Sequence, residues 1–452
     1  MANFDAFERK MTAVGMGEAP IRAFRRNFEA LLRNETGMIP EDDIMPATEL
    51  TSFEDVAAAR PVDLSLLGQA VVIKLNGGLG TSMGLQGPKC LLPIREGVNF
   101  LDLMLRQILD LRQISGSNVR LLLMNSFSTS HETLQHLAES EAATAAGLCD
   151  PAQLELMQNQ IPKIDAETLA PVSWPADPAL EWCPPGHGDL YPALVGSGWL
   201  DRLLGEGIRY AFVSNSDNLG ASLDPALLNH FAASGAPFLM EVTRRTAADR
   251  KGGHLALRKS DGRFVLREVA QCPDADLDAF QDIGRHRYFN TNSLWLRLDL
   301  LKAQLAADAG VLPLPMIKNS KTVDPRDKSS LAVIQLETAM GAAIECFAGA
   351  AAIAVPRSRF APVKSTADLL ALRSDAYEIL ADGQVRLHPD LHGVPPVITL
   401  PDEYKLVDQL DALGVPSLRR CRSLTITGPA HFPPGTVLEG DVKWSGACQS
   451  PA

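Results

Sequence analysis

The sequence lacks three features that would place the protein in a special structural or cellular class. The longest charge-free apolar stretch that we find, from Cys346 to Val355, is well short of the roughly 20 residues that a membrane helix needs. The seven cysteines include no C-x-x-C pair, so they indicate neither a zinc site nor a redox motif. The first ten residues carry four charged side chains and lack the apolar core of a signal peptide. We therefore expect a cytoplasmic protein with reduced thiols and no membrane segment.

Positive charge is also scarce in this sequence. The 452 residues include 42 Lys and Arg against 54 Asp and Glu, which gives a net charge of -12 at pH 7. Proteins that bind nucleic acids or anionic membranes usually carry the opposite charge. We therefore expect no nucleic-acid partner and no membrane partner, and any phosphate site must be locally basic.

The pattern of apolar residues divides the chain into three segments. Residues 1–66 are predicted to form a helical arm, because five apolar side chains recur at three- and four-residue steps and share one helix face. These residues are Ile21, Phe24, Phe28, Leu31 and Leu32. Residues 67–384 are predicted to be the main domain. Residues 385–452 combine a helix-like stretch with short apolar pieces separated by Gly and Pro, which predicts a small β-helix-like appendage.

The main domain alternates short apolar runs with amphipathic segments of helical length. This alternation is typical of a sheet with helices on both faces, so the predicted fold class is α/β. The predicted strands are Val71–Leu75, Val119–Asn125, Ile208–Ser214 and Pro237–Thr243. The predicted helices include Leu101–Ile114 and Pro225–Ala233.

A glycine-rich segment, Leu75 to Lys89, contains the end of the first predicted strand and the loop after it. At the carboxyl end of a strand in an α/β sheet, glycines let backbone N–H groups approach phosphates closely. The spacing excludes a Walker loop, because Pro88 separates Gly87 from Lys89, and a dinucleotide fingerprint, because the third glycine is missing. The segment therefore predicts a phosphate-binding loop, with an ordinary turn and a surface lysine as the alternative.

Further polar residues are candidates for ligand contacts, and several of them also have a purely structural explanation. Asp217 closes an apolar strand, where a carboxylate can hold Mg²⁺, although Asp-Asn pairs also form ordinary turns. His187 lies in a Pro-Gly turn and either donates to a phosphate or hydroxyl oxygen or is a surface residue. Asn290 and Asn292 carry amides suited to sugar hydroxyls. Lys364 ends a basic, proline-rich segment and either contacts phosphates or only precedes a helix.

Taken together and in this order, these segments resemble the eukaryotic-type UTP:glucose-1-phosphate uridylyltransferase family. The matching runs are LNGGLGTSMG with GPK, FLDL, LMNSFSTS, PPGHGD, FVSNSDNLGA, EVTRRTAADRKGG, FNTNSLW, VIQLETAMGAAI and VPRSRFAPVKS. The resemblance implies a Rossmann-like nucleotidyltransferase fold of GT-A type with a mixed sheet. It also implies a Mg²⁺-dependent, reversible transfer of uridylyl from UTP to glucose-1-phosphate, which yields UDP-glucose and pyrophosphate.

The resemblance further implies roles for single residues. Lys89, Asp217 and Lys364 would be catalytic, and Asp217 would bind the metal. The UTP-binding residues would be Leu75, Asn76, Gly77, Gly78, Lys89, Gln158, Gly186, Asp217 and Lys364. The sugar-phosphate-binding residues would be Gly77, Gly78, His187, Asn215, Ser216, Asp217, Asn290 and Asn292. Gln158 would contact the uracil, with Gln160 as the competing candidate.

Three departures from the family pattern and two alternative functions stay open. Cys90 follows Lys89 where the animal enzymes carry Ser, and Ser216 replaces an apolar residue beside Asp217. The sequence also ends soon after Gly440, where longer relatives continue through further β-helix coils. We expect a monomer or a small homo-oligomer. One alternative is a pyrophosphorylase for N-acetylhexosamine-1-phosphate or for a broad range of UDP-sugars. The other is a catalytically silent UDP-sugar sensor.

Overall fold

The protein folds into two compact units, each made of separate stretches of the chain. A computed structural model describes residues 4–58, 61–95, 97–246 and 249–445. The first unit comprises Met1–Ile73, Leu156–Val213 and Pro225–Val355, and the second comprises Lys74–Glu155, Ser214–Asp224 and Pro356–Ala452. The three-segment division predicted from the sequence stays a prediction.

The helices of the described residues are short or of medium length. They are α1 (Asp5–Ala13), α2 (Glu18–Leu32), α3 (Phe53–Ala58), α4 (Phe100–Ser115), α5 (Ser130–Glu139), α6 (Glu141–Ala145), α7 (Pro151–Leu154), α8 (Leu190–Gly196), α9 (Trp199–Gly205), α10 (Pro225–Ser234), α11 (Leu277–Gln281), α12 (Leu298–Ala307), α13 (Thr366–Arg373) and α14 (Val407–Leu413). None of these helices combines the length and the apolar character that crossing a lipid bilayer requires.

The strands of the described residues fall into one main sheet and several small ones. They are β1 (Ile44–Pro46), β2 (Thr51–Ser52), β3 (Ala70–Asn76), β4 (Pro93–Arg95), β5 (Val98–Asn99), β6 (Arg120–Asn125), β7 (Glu155–Met157), β8 (Ile161–Pro162), β9 (Ile164–Asp165), β10 (Trp182–Cys183), β11 (Tyr210–Asn215), β12 (Phe238–Arg244), β13 (His254–Arg258), β14 (Phe264–Arg267), β15 (Tyr288–Arg297), β16 (Met316–Thr322), β17 (Ala332–Thr338), β18 (Ala351–Ala354), β19 (Tyr377–Ile379), β20 (Val385–Leu387), β21 (Val397–Thr399), β22 (Ser417–Ile426) and β23 (Val437–Trp444).

The first unit contains a mixed sheet. Its strands lie in the order β2, β18, β12, β15, β11 and β3. β15 is antiparallel to β11 and to β12, whereas β18 is parallel to β12. β11 and β12 are buried over most of their length, as expected for strands that are covered on both faces. Together with the helices above, this sheet confirms the predicted α/β fold class.

The N-terminal residues form two helices and then pair with distant strands. In α2, Phe24 and Phe28 are buried and pack with Phe7 of α1, but Leu32 is 41% exposed. After α2 the chain adds short strands to the sheet, because β1 pairs with β13 and β2 pairs with β18. These partners are distant in sequence, and local periodicity cannot indicate such pairings.

The second unit carries the carboxyl end of β3 beside β6. α4 begins with a capping box formed by Asn99 and Asp102, so its first free N–H groups are satisfied by side chains. α13 begins in the same way with Ser365 and Asp368. At the end of the described chain, β21, β22 and β23 form a parallel sheet.

Some predicted features lie partly or wholly outside the described residues. Cys448 is one of them, and so are Ala247 and Ala248 of the run EVTRRTAADRKGG. The cysteines within the described ranges are free thiols, namely Cys90, Cys149, Cys183, Cys272, Cys346 and Cys421.

Candidate active site

The predicted phosphate loop begins where β3 ends and closes on itself. The backbone N–H of Lys89 donates to the carbonyl of Gly78 at 3.3 Å, and Leu79 and Pro88 form an antiparallel bridge. Gly78 is exposed, and a Cβ atom at this position would have nothing within 4 Å. The loop therefore offers open backbone at Gly78, which is the space that a phosphate group needs.

A buried amide cluster anchors the first residues of this loop. Asn76 is 1% exposed, and its Nδ2 donates to Oδ1 of Asn125 at 2.8 Å and to Oγ1 of Thr133 at 3.1 Å. The hydroxyl of Ser126 donates to the carbonyl of Gly77 at 3.0 Å. The side chain of Asn76 thus holds the loop against β6 and α5, and its predicted contact with UTP stays a prediction.

Asp217 and Lys89, both predicted to be catalytic, are in direct contact. Nζ of Lys89 donates to Oδ2 of Asp217 at 2.7 Å, with 15% and 18% of the two side chains exposed. Asn215 ends β11, and the backbone N–H of Ser216 donates to the carbonyl of Leu75 at 3.0 Å. The second unit therefore brings the turn of Asp217 against the end of β3.

Lys364 directly follows Val363, whose backbone is hydrogen-bonded to the turn that contains Asp217. The backbone N–H of Val363 donates to the carbonyl of Asp217 at 3.1 Å. Lys364 is exposed, and its own N–H donates to the carboxylate of Asp368 in the first turn of α13 at 2.9 Å. Within the part of the chain that the structure describes, no carboxylate pairs with its ammonium group. The lysine is thus anchored by its backbone and carries an unpaired positive charge.

The environment of Asp217 fits a hard divalent cation. Its Oδ1 is buried and has no hydrogen-bond partner among the described residues, and an unpaired buried carboxylate oxygen is costly without a cation or donor. No cluster of three or more His, Cys, Asp or Glu side chains suited to a metal occurs within these residues. Any cation at Asp217 would thus take its other ligands from water and substrate phosphates, as Mg²⁺ commonly does.

The first unit brings Gln158 and Gly186 together. Nε2 of Gln158 donates to the carbonyl of Gly186 at 3.2 Å. The next residue, Asn159, is also held in place. The carboxylate of Asp189 accepts hydrogen bonds from its backbone N–H at 2.7 Å and from its side-chain amide at 3.0 Å. This contact favours Gln158 over Gln160 as the glutamine that accompanies Gly186.

His187 is a neutral hydrogen-bond donor in this fold. Its Nδ1 accepts the backbone N–H of Met340 at 3.0 Å, so the ring proton lies on Nε2. Burial lowers the pKa of His187 to about 4, and the ring therefore stays uncharged near neutral pH. Nε2 has no partner among the residues that the structure describes, which leaves an N–H group able to donate to a ligand oxygen.

Asn290 and Asn292 lie on a β-bulge of β15. The pairing of β15 with β12 shifts its register between Glu241 and Val242, and Asn292 takes a left-handed φ of 57°. Nδ2 of Asn290 donates to Oδ1 of Asn292 at 2.9 Å. Bulges redirect side chains and are frequent beside active sites, so the two amides predicted to contact sugar are adjacent and locally oriented.

Comparison with known proteins identifies the family. The family model described as UTP--glucose-1-phosphate uridylyltransferase matches residues 21–439 of the chain. The chain belongs to this uridylyltransferase family. This result confirms the resemblance drawn from the sequence motifs.

Uridylyltransferases from two organisms illustrate the similarity in sequence. The protein of Saccharomyces cerevisiae is 42% identical over 397 residues, which cover 87% of this chain and 77% of the yeast protein. The protein of Hordeum vulgare is 42% identical over 405 residues, which cover 88% of this chain and 82% of the barley protein.

Solved structures agree with this assignment. A variant of UDP-glucose pyrophosphorylase from Leishmania major, in complex with UDP-glucose, is 44% identical with a TM-score of 0.93, and the match covers 100% of this chain and 98% of that one. A protein of Trypanosoma brucei, described as UDP-glucose phosphorylase, is 48% identical with a TM-score of 0.89, covering 98% and 94%. The nucleotidyltransferase fold implied by the resemblance is therefore confirmed.

We expect Gly186→Ala to destabilise the first unit of this uridylyltransferase family member. Gly186 has a left-handed φ of 78°, and a Cβ atom would lie 2.5 Å from the backbone oxygen of Thr338. The strain and the contact should lower the free energy of unfolding by about 1–3 kcal/mol. Gly198→Ala is the matched control, because its φ is 77° and nothing lies within 4 Å of its Cβ position. Urea unfolding should show the smaller loss for the control, and equal losses would contradict the close approach.

We expect Asp189→Asn to destabilise the protein more at low pH than at high pH. Burial raises the pKa of Asp189 to about 7, whereas an exposed aspartate has a pKa of 3.8. Between these values the folded chain keeps a proton that the unfolded chain has released, so this contribution to stability falls as pH rises. Asparagine removes that dependence. The loss of unfolding free energy should be about 2 kcal/mol larger at pH 5 than at pH 8.

Urea unfolding of this variant at the two pH values measures the difference. The exposed Asp278 provides the control variant Asp278→Asn, which should show no comparable difference between pH 5 and pH 8. A loss of stability in Asp189→Asn that is the same at both pH values would contradict the raised pKa.

Proposed function

We propose that the chain transfers the uridylyl group of UTP to glucose-1-phosphate and so forms UDP-glucose and pyrophosphate. Its membership of the uridylyltransferase family over residues 21–439 supports this activity, as does the fold shared with a relative that was solved with UDP-glucose. The observation that carries the proposal is the contact between Lys89 and Asp217 at the end of β3. In this contact the ammonium group of Lys89 and the carboxylate of Asp217 lie beside the glycine-rich loop, and Oδ1 of the carboxylate has no partner among the described residues.

The reaction requires no covalent bond to the protein. An oxygen of the glucose-1-phosphate phosphate attacks the α-phosphorus of UTP, and the bond from that phosphorus to the bridging oxygen breaks, so that pyrophosphate leaves. One phosphoanhydride replaces another, which makes the reaction reversible. The residues act by positioning the reactants and by stabilising negative charge on phosphate oxygens.

The residues of the second unit handle the phosphates. Gly77 and Gly78 offer backbone N–H groups, and Lys89 and Lys364 supply positive charge. Asp217 would hold Mg²⁺ through its free oxygen, and the cation would supply positive charge to the phosphate oxygens. The exposed ammonium of Lys364 is free to follow the departing pyrophosphate.

A further set of residues recognises the two ends of the product. Gln158, held beside Gly186, hydrogen-bonds the uracil. His187 donates from Nε2 to a phosphate oxygen of the sugar phosphate, and its low pKa keeps the donor unchanged over the physiological range. Asn290 and Asn292 take sugar hydroxyls. We further infer that the enzyme works in the cytoplasm as a monomer or small homo-oligomer, without nucleic-acid or membrane partners.

The test is product formation by the purified full chain. We expect UDP-glucose and pyrophosphate to appear together from UTP, glucose-1-phosphate and Mg²⁺. With N-acetylglucosamine-1-phosphate and glucose-1-phosphate present together, UDP-glucose should be the main product, whereas a UDP-N-acetylhexosamine product would favour the alternative pyrophosphorylase. Nucleotide binding with neither product would favour a silent sensor and would overturn the proposal.

A further inference from the structure

Lys74 is a lysine in the interior of the second unit. It lies on β3, two residues before Asn76, and only 2% of its surface is exposed. Burying an ammonium group costs free energy unless hydrogen bonds compensate for the lost water. The flanking residues of the strand are apolar, and an apolar side chain would fill this position at lower cost. The charge therefore requires a specific explanation.

The ammonium group of Lys74 connects two points of another segment. Its Nζ donates to the hydroxyl of Ser214 at 2.9 Å and to the carbonyl of Ala221 at 2.6 Å. Ser214 is fully buried near the end of β11, and Ala221 is also fully buried. A single side chain thus bonds to both ends of the intervening turn, residues 215–220, which contains Asp217.

A second contact connects β3 with this turn. The carbonyl of Leu75, next to Lys74, accepts the N–H of Ser216 at 3.0 Å. Within the turn, the N–H of Ala221 donates to the carbonyl of Asn218 at 3.2 Å. The base of the turn is therefore fixed to β3 by one backbone bond and by the two bonds of the lysine.

A different segment holds the turn independently of Lys74. The carbonyl of Arg359 accepts the side-chain amide of Asn218 at 3.3 Å, and the N–H of Ala361 donates to Oδ1 of Asn218 at 2.9 Å. The guanidinium of Arg359 donates to the carbonyl of Ser222 at 2.8 Å. These contacts should keep the turn folded when the lysine is removed, so that loss of Lys74 relaxes the turn without unfolding it.

We propose that Lys74 is a positioning residue, which fixes the Asp217 carboxylate for cation binding by holding both ends of the turn. This inference rests on the proposed role of Asp217 as the metal ligand. The proposed effect of Lys74 on Asp217 is indirect, because it runs through the hydrogen bonds to Ser214 and Ala221. Groups that orient a metal ligand commonly change metal affinity by about 10- to 100-fold when they are replaced.

The test compares the Mg²⁺ response of matched variants of the full-length enzyme. Lys74→Met keeps the length of the side chain and removes its donors. Ser214→Ala removes one of the two acceptors of the Lys74 ammonium group. This variant replaces Lys74→Met in the comparison if Lys74→Met fails to fold. Lys163→Met is the control, because Lys163 is also buried, at 4% exposure, and its Nζ donates to the carbonyl of Val323. Asp217→Asn is the reference for loss of the metal ligand.

We expect Lys74→Met to raise the free Mg²⁺ concentration for half-maximal UDP-glucose synthesis by about 10- to 100-fold. Mn²⁺ binding, followed by electron paramagnetic resonance, should weaken in parallel. Ser214→Ala should raise the half-maximal Mg²⁺ concentration and weaken Mn²⁺ binding, each to a smaller extent than Lys74→Met. Lys163→Met should keep the Mg²⁺ response of the parent protein even if its melting temperature falls.

Two outcomes would overturn the inference and separate its failure from that of the proposed function. If Asp217→Asn changes the Mg²⁺ response but Lys74→Met and Ser214→Ala behave like Lys163→Met, the positioning role fails alone. If Asp217→Asn itself leaves the Mg²⁺ response unchanged, the metal role of Asp217 fails and the positioning role fails with it.

Discussion

Replacing Asp217 with asparagine should lower turnover by about 10²- to 10³-fold while the protein stays folded. Asparagine keeps the shape of the side chain but removes the charge that pairs with Lys89 at 2.7 Å. It also replaces a carboxylate whose Oδ1 is buried without a partner among the described residues. The variant therefore loses the proposed cation ligand and leaves the positive charge of Lys89 without its carboxylate partner. Steady-state synthesis of UDP-glucose measures the effect.

The control for this variant is Asp402→Asn, an exposed aspartate of the same unit. Its turnover should equal that of the parent protein, and circular dichroism should show both variants folded. A folded Asp217→Asn protein with turnover within a fewfold of the parent would contradict the assignment of Asp217 to the chemistry.

Replacing Lys364 with alanine should lower turnover by about 10²-fold with little change in stability. The backbone of this segment is held by the bond from Val363 to Asp217 and by the capping box of Ser365 and Asp368, and none of these contacts uses the side chain of Lys364. The variant therefore removes only an exposed, unpaired positive charge. Since that charge is proposed to act on the leaving pyrophosphate, kcat should fall more than the KM for UTP rises.

Lys405→Ala is the matched control, because Lys405 is an exposed lysine of the same unit. Initial rates over a range of UTP concentrations separate kcat from KM for both variants. Unchanged turnover in a folded Lys364→Ala protein would remove Lys364 from the mechanism.

The strands that carry the candidate residues are predictable from the sequence because their burial follows from local composition. The apolar run predicted over Val71–Leu75 is β3, and the run over Ile208–Ser214 is β11, each with bounds within about two residues. Polar residues then follow at the carboxyl ends of these strands, which is the edge of an α/β sheet where ligands bind. The contact between Lys89 and Asp217 was not predicted, because Lys89 lies well beyond the end of β3.

Other features depend on contacts that local sequence does not encode. The short strands β1 and β2 form by pairing with β13 and β18, which are distant in sequence. The anchoring role of Asn76 depends on Asn125 and Thr133, which belong to other elements of the chain. A polar residue directly at the end of an apolar strand is a weak signal for such anchors.

Lys74 shows the same limit most clearly. In the sequence, Lys74 is a lysine in an otherwise apolar strand. The neighbouring residues do not indicate whether its side chain is exposed to solvent or buried. Its two acceptors lie on a segment about 140 residues away along the chain. Only the tertiary structure shows that it bonds to both ends of the Asp217 turn.

Isotopic transfer from UTP labelled at the α-phosphorus tests the central claim most directly. The purified protein is incubated with this UTP, glucose-1-phosphate and Mg²⁺, and the labelled products are separated. We predict that the label appears in UDP-glucose in a one-to-one ratio with released pyrophosphate. Label that stays in UTP, or that appears in UMP or UDP without UDP-glucose, would contradict uridylyl transfer to the sugar phosphate.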